Sequence, residues 1–179
     1  SRMKVNDLVH RQIVANLDRI RDWFRAQRVE LDVPFYSSYD IRDSGAKVVN
    51  VDANIYPAGF NNICPVDREQ CGELIRTYVQ RHYGEKAKKI LLLTEEHTSN
   101  LYYWDSVSVL RDLIADAGLE VRVALPRVTN AEQFEMPSAS RGNLTVYAAV
   151  IENGKISLRD FEPDVVVSNN DFSEYYAEW

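Results

Sequence analysis

Residues 88–96 read KKILLLTEE. Four apolar residues in a row, Ile90 to Leu93, are bracketed by lysines and glutamates. The run is too short for an amphipathic helix and does not alternate, so it reads as a strand buried on both faces, the habit of parallel sheets. Its neighbours agree. Upstream, Asp67-Arg68-Glu69-Gln70 opens a helix, with Asp67 as N-cap, Gln70 at the capping-box position and Gly84 as the stop. Downstream, the spacing predicts a helix from Asn100 to Ala117, ended by Gly118, and then a strand, LEVRVALP, over 119–126. Strand and helix in alternation predict an α/β fold, a mainly parallel open sheet flanked by helices.

The flanks add hairpins to that sheet. NLTVYAAVIENGKISLRDF, 143–161, reads as a hairpin turning at Asn153-Gly154, a favoured type I′ pair. DVVVSNND, 164–171, is a last short strand. Towards the N-terminus, VPFYSSYDIR (33–42) and AKVVNVDAN (46–54) form another hairpin around Asp43-Ser44-Gly45. Tyr36, Ser38, Asp40 and Arg42 share one face of the first run; Asn50, Asp52 and Asn54 share one face of the second. Before them, residues 5–24 carry Val5, Leu8, Val9, Ile13, Leu17, Ile20 and Phe24 at helical spacing, an amphipathic helix.

Length and charge narrow the function classes. The 179 residues suit one domain, and the chain ends at Trp179 without a concluding element, as a fragment of a longer protein would. A net charge of −6 with no basic cluster argues against a nucleic-acid partner. No apolar stretch approaches the roughly 18–20 residues of a membrane span. Cys64 and Cys71 match no zinc or redox spacing, so they read as structural thiols of a reducing cytoplasm.

Three predicted strands run into polar loops. VVNV leads to Asp52-Ala53-Asn54 and then Phe60-Asn61-Asn62; ILLL leads to Thr94-Glu95-Glu96-His97-Thr98-Ser99-Asn100; VVV leads to Ser168-Asn169-Asn170-Asp171. Ligands of open α/β sheets sit beyond the carboxyl ends of the strands, so these loops predict one polar small-molecule site. The same residue types also cap helices and form turns. His97 beside Glu95 and Glu96 has no partner histidine at ligand spacing, so no metal site is assigned. Arg42 and Lys47 flank the first hairpin turn; they are solvated turn charges or carboxylate receptors, and Asp40 and Asp52 pair with them or receive an ammonium. Dinucleotide fingerprints, P-loops and nucleophile elbows are absent.

The stretch FYSSYDIRDSGAKVVNVDANIYPAGFNNI, 35–63, resembles the proteobacterial-type glutamate–cysteine ligases, the GshA family. EEHTSNLYYW (95–104) and VVVSNNDFS (165–173) resemble two further elements of that family, with Ser99 where an arginine is usual and Tyr56 where a phenylalanine is. The resemblance implies an ATP- and Mg²⁺-dependent enzyme that joins the glutamate γ-carboxylate to the cysteine amine through γ-glutamyl phosphate, the first step of glutathione synthesis. It further implies an N-terminal substrate-side domain of pre-ATP-grasp, Rossmann-like kind over 1–179. The ATP-grasp domain would then lie C-terminal to the chain, with ATP and Mg²⁺ bound mostly outside it, leaving this fragment inactive alone. In that frame glutamate and cysteine are the partners, and a homo-oligomer is compatible. The substrate-binding set becomes Asp40, Arg42, Lys47, Asp52, Asn54, Asn61, Asn62, Glu95, His97, Asn100, Asn169 and Asn170. The alternatives are a non-catalytic amino-acid-binding domain and a scaffold whose asparagines only cap and turn.

Overall fold

A computed structural model of the chain describes residues 5–96, 99–128 and 130–172. The chain forms two compact units, Ser1–Ile55 and Tyr56–Trp179. Among the described residues no helix is long and apolar enough to cross a membrane.

The first unit holds helices α1 (Val5–Ala15) and α2 (Leu17–Glu30) and an antiparallel hairpin of β1 (Ser38–Asp43) and β2 (Val48–Asn54). The single helix expected over 5–24 is two helices. Asn16 interrupts it at φ −116°, ψ 16°. Its side-chain amide donates to the Gln12 carbonyl at 2.9 Å, so a local bond competes with the helical ladder. No residue of either helix is buried, although the apolar spacing is as expected. In the hairpin, Gly45 takes the predicted positive φ, 80°. The register slips between Asp40 and Ile41, leaving Val51 unpaired on β2.

The second unit is built on a five-stranded sheet of order β5-β6-β4-β3-β9, where β3 is Lys89–Thr94, β4 Glu120–Leu125, β5 Gln133–Pro137, β6 Asn143–Ala148 and β9 Val165–Asn169. The β4–β6, β3–β4 and β3–β9 pairs are parallel, and β5 adds an antiparallel edge. Interior strand β3 is KILLLT, with Ile90, Leu91, Leu92 and Leu93 all essentially inaccessible, as the apolar run required. Leu91 and Leu93 pack with Ala124, Leu158 and Phe161 on the side carrying a small hairpin, β7 (Val150–Glu152) and β8 (Lys155–Ser157). Alternation sends Ile90 and Leu92 to the other side. There α4 (Leu101–Asp116) buries Trp104, Val107, Leu110 and Ile114. Helix α3 (Pro65–Tyr83) lies against α4, where Gly72 comes so close that an added Cβ would sit 3.2 Å from the Asp116 carbonyl.

Several boundaries differ from the sequence reading. Helix α3 begins at Pro65 with Cys64 as N-cap, earlier than Asp67, because a proline suits the first helical position and sacrifices no hydrogen bond there. The hairpin expected over 143–161 is only β7–β8; Asn153 and Gly154 have the predicted positive φ, 52° and 73°, but β6 leaves it to join the main sheet. Strand β5 had no turn signal to mark it. Cys64 and Cys71 are both free thiols, and seven residues of helix separate them by about 10 Å, too far to bridge.

Removing the packing of β3 tests this architecture. Leu92→Ala is expected to lose about 2–5 kcal/mol of stability in urea unfolding. Leu74→Ala, on the exposed side of α3, is expected to stay within about 0.5 kcal/mol of the parent.

Candidate functional site at the carboxyl end of the sheet

Strands β3 and β9 end in register, Thr94 beside Asn169, so the loops that leave them start side by side. Asn169 and Asn170 are only 5% and 2% exposed, and two buried amides need partners. Asn169 Nδ2 donates to the Pro57 carbonyl at 2.9 Å, drawing in the loop at 57–62. Asn170 Nδ2 donates to the Thr94 carbonyl at 3.2 Å, and its Oδ1 accepts from the Phe172 N–H at 2.8 Å. Tyr103 of α4 closes the set. Its hydroxyl accepts from the Glu95 N–H at 3.0 Å and faces Asn169 O and Oδ1 at 3.2 and 3.3 Å. The Asp171 N–H reaches Glu95 Oε1 at 3.4 Å.

The loop at 57–62 is also held from beneath. Ser106, buried on α4, accepts from the Gly59 N–H at 2.9 Å and the Phe60 N–H at 3.2 Å. Gly59 sits at φ 88°, a conformation that favours glycine, and leads into the 3-10 turn Phe60–Asn62. Arg68 donates to the Asn61 carbonyl at 3.3 Å. The side-chain amides of Asn61 and Asn62 make no hydrogen bond with the described residues; Asn61 is half-buried and Asn62 exposed. Two amides with both donor and acceptor open, on a loop fixed by three side chains, are suited to a polar ligand.

The twelve predicted residues therefore fall into groups. Asn61, Asn62, Glu95, Asn169 and Asn170 come together at this rim. Asn100 begins the next helix, its Oδ1 accepting from the Tyr102 N–H at 3.0 Å. His97 lies outside the described residues. Asp40, Arg42, Lys47, Asp52 and Asn54 belong to the β1–β2 hairpin of the first unit. There Asp40 and Asp52 are direct cross-strand partners, and Ser38 opposes Asn54. Arg42 and Lys47 are exposed and form no ion pair with either aspartate. The bulge sets Arg42 opposite Val49.

Three residues of α4 had roles that were not legible: Tyr103 and Ser106, which hold the rim, and Asp105, which holds the turn after β5. The available signal was two polar residues, Asp105 and Ser106, set between Trp104 and Val107 on a buried helix. Asp105 accepts from the Ser140 N–H at 3.0 Å and from its hydroxyl at 2.9 Å. The Ser140 N–H, with the Ser140 and Ser138 hydroxyls, holds the Asp105 carboxyl below the ordinary carboxylate range despite burial.

The family model for glutamate-cysteine ligase, GshA, matches residues 10–179. Among solved structures, a protein provisionally named gamma-glutamylcysteine synthetase, from Methylobacillus flagellatus KT, superposes with a TM-score of 0.79 at 30% identity over 92% of this chain. The match covers 39% of that protein's length. No curated protein matches the chain.

Two variants of α4 probe the rim and the neighbouring turn. Ser106→Ala leaves two loop N–H groups without their acceptor; we expect a loss of about 1–3 kcal/mol and faster amide exchange at Gly59 and Phe60. Asp105 has a lowered folded-state pKa, so its stabilisation is present above the ordinary carboxylate value of about 3.9 and is lost as pH falls through the folded value. Asp105→Asn is therefore expected to be less stable than the parent at neutral pH and to lose less on acidification in thermal melts. The chain belongs to the glutamate-cysteine ligase family, matched over nearly its whole length.

Proposed function

We propose that the full-length protein is an ATP-dependent glutamate–cysteine ligase, forming gamma-glutamylcysteine in the cytoplasm as the first step of glutathione synthesis. In this reading residues 1–179 are its N-terminal, pre-ATP-grasp, Rossmann-like domain and hold amino-acid substrate. The observation that carries it is the pair of open amides, Asn61 and Asn62, on a loop clamped by Ser106 and Asn169 in a chain of this family.

The chemistry of the residues supports that role. Glutamate and cysteine bring carboxylates and ammonium groups. Neutral amides orient such groups through hydrogen bonds without fixing a counter-charge, so they tolerate the charge changes of peptide-bond formation. On the hairpin of the first unit, taken by itself, Arg42 and Lys47 are suited to carboxylates and the facing Asp40 and Asp52 to an ammonium. Glu95, His97, Asn54 and Asn100 complete the proposed set. Among the described residues no three His, Cys, Asp or Glu side chains gather as metal ligands, so no step through Mg–ATP is assigned to them. ATP and Mg²⁺ belong, in this reading, to an ATP-grasp domain C-terminal to the chain.

The test is ADP release by the full-length protein as glutamate and cysteine are supplied together or singly. Dependence on both is expected; equal release without either overturns the reading and leaves an amino-acid-binding domain as the better one. Asn61→Ala and Asn62→Ala are each expected to lower kcat/KM by about tenfold or more with an unchanged melting temperature. Unchanged kinetics with a lowered melting temperature would make these asparagines turn formers only.

A further inference from the structure

A cavity of about 640 Å³ opens beside β4 and β6 and shares no residue with the polar rim. Its volume lies within the range of small-molecule sites. Arg122 of β4 reaches into it from the sheet, and its guanidinium is stacked between two rings, 5.1 Å from the Tyr147 centroid and 4.9 Å from that of Phe161. Stacking of this kind holds the plane of the guanidinium and leaves the N–H groups on its edge to point outward. Arg122 is half-buried and forms no ion pair among the described residues. A partly desolvated cation with aromatic neighbours and no counter-charge is favourably placed to receive a carboxylate.

The remaining charges of the wall narrow the ligand. Arg159 and Glu132, both lining the cavity, neutralise each other in an ion pair. That leaves Arg122 from the sheet and, without an ion pair among the described residues, Glu152 and Asp160 from the β7–β8 hairpin and the residues after it; Lys155, opposite Glu152 on the hairpin, pairs with Glu162. One unpaired cation and two unpaired carboxylates in the same lining disfavour a multiply charged anion and suit a molecule bearing one carboxylate and one ammonium. We infer that this cavity is a second binding site, distinct from the rim, for an amino-acid-sized zwitterion whose carboxylate docks on Arg122 and whose ammonium meets Glu152 or Asp160.

Calorimetry of the full-length protein with glycine, acetate and inorganic phosphate tests this. Glycine is expected to bind saturably, acetate about tenfold more weakly for want of an ammonium, and phosphate more weakly still. Arg122→Gln is expected to weaken glycine by about tenfold or more, whereas Asn61→Ala at the rim leaves this binding unchanged. Because Arg122 also packs on two rings, the double variant Glu152→Gln/Asp160→Asn provides an arm that does not disturb the core. Both positions are exposed, and their change is expected to weaken glycine but not acetate. The inference is overturned if glycine does not bind, if its binding survives both Arg122→Gln and the double variant, if it is lost in Asn61→Ala alone, or if phosphate binds as tightly as glycine.

Discussion

Two asparagine side chains buried at the end of β9 organise the polar rim. An amide withdrawn from water must find hydrogen-bond partners, and an unmet one costs about 1–3 kcal/mol. Asn169 and Asn170 find theirs in the carbonyls of Pro57, on the loop before α3, and of Thr94, at the end of β3. The same requirement therefore brings together segments more than a hundred residues apart in the chain. Tyr103 and Ser106 extend the arrangement from below, so that α4 serves as the floor of the rim as well as a layer of the core.

This division of labour separates two kinds of asparagine. Those at 169 and 170 are engaged in holding loops, whereas those at 61 and 62 are presented by the loop that is held. A ligand meeting Asn61 and Asn62 would encounter groups whose backbone has already been ordered, which lowers the entropic cost of binding. The sheet makes this economical: its carboxyl ends are the one place where parallel strands, buried along their length, release polar chain at a common level.

The sheet's two faces carry different work. One is sealed by α4, whose buried residues fill the core against Ile90 and Leu92. The other takes a short hairpin, which covers Leu91, Leu93 and Ala124 but leaves the half-buried Arg122 beside an open cavity. A second helical layer would have buried that guanidinium; the smaller cover allows a cation to remain at the sheet surface with its stem packed and its head stacked on rings.

Much of this was legible from residues 88–96 outward, because an unbroken apolar strand, helices with clear stop glycines and an Asn-Gly turn are local signals set by backbone sterics and burial. The three polar loops and their resemblance to one ligase family were legible for the same reason: they are contiguous runs of sequence. The break at Asn16, the start of α3 at Pro65 and the departure of β6 to the main sheet were not, since each turns on a competition between local alternatives. Nor did sequence alone distinguish the asparagines that hold from those that are held, or single out Tyr103, Ser106 and Arg122. An amide's role depends on which distant carbonyl lies within 3 Å once the strands are in register, and an arginine's on which rings and charges the fold sets around it. Local patterning determined the elements and the chemistry available; tertiary packing decided which of those groups were left open to a ligand.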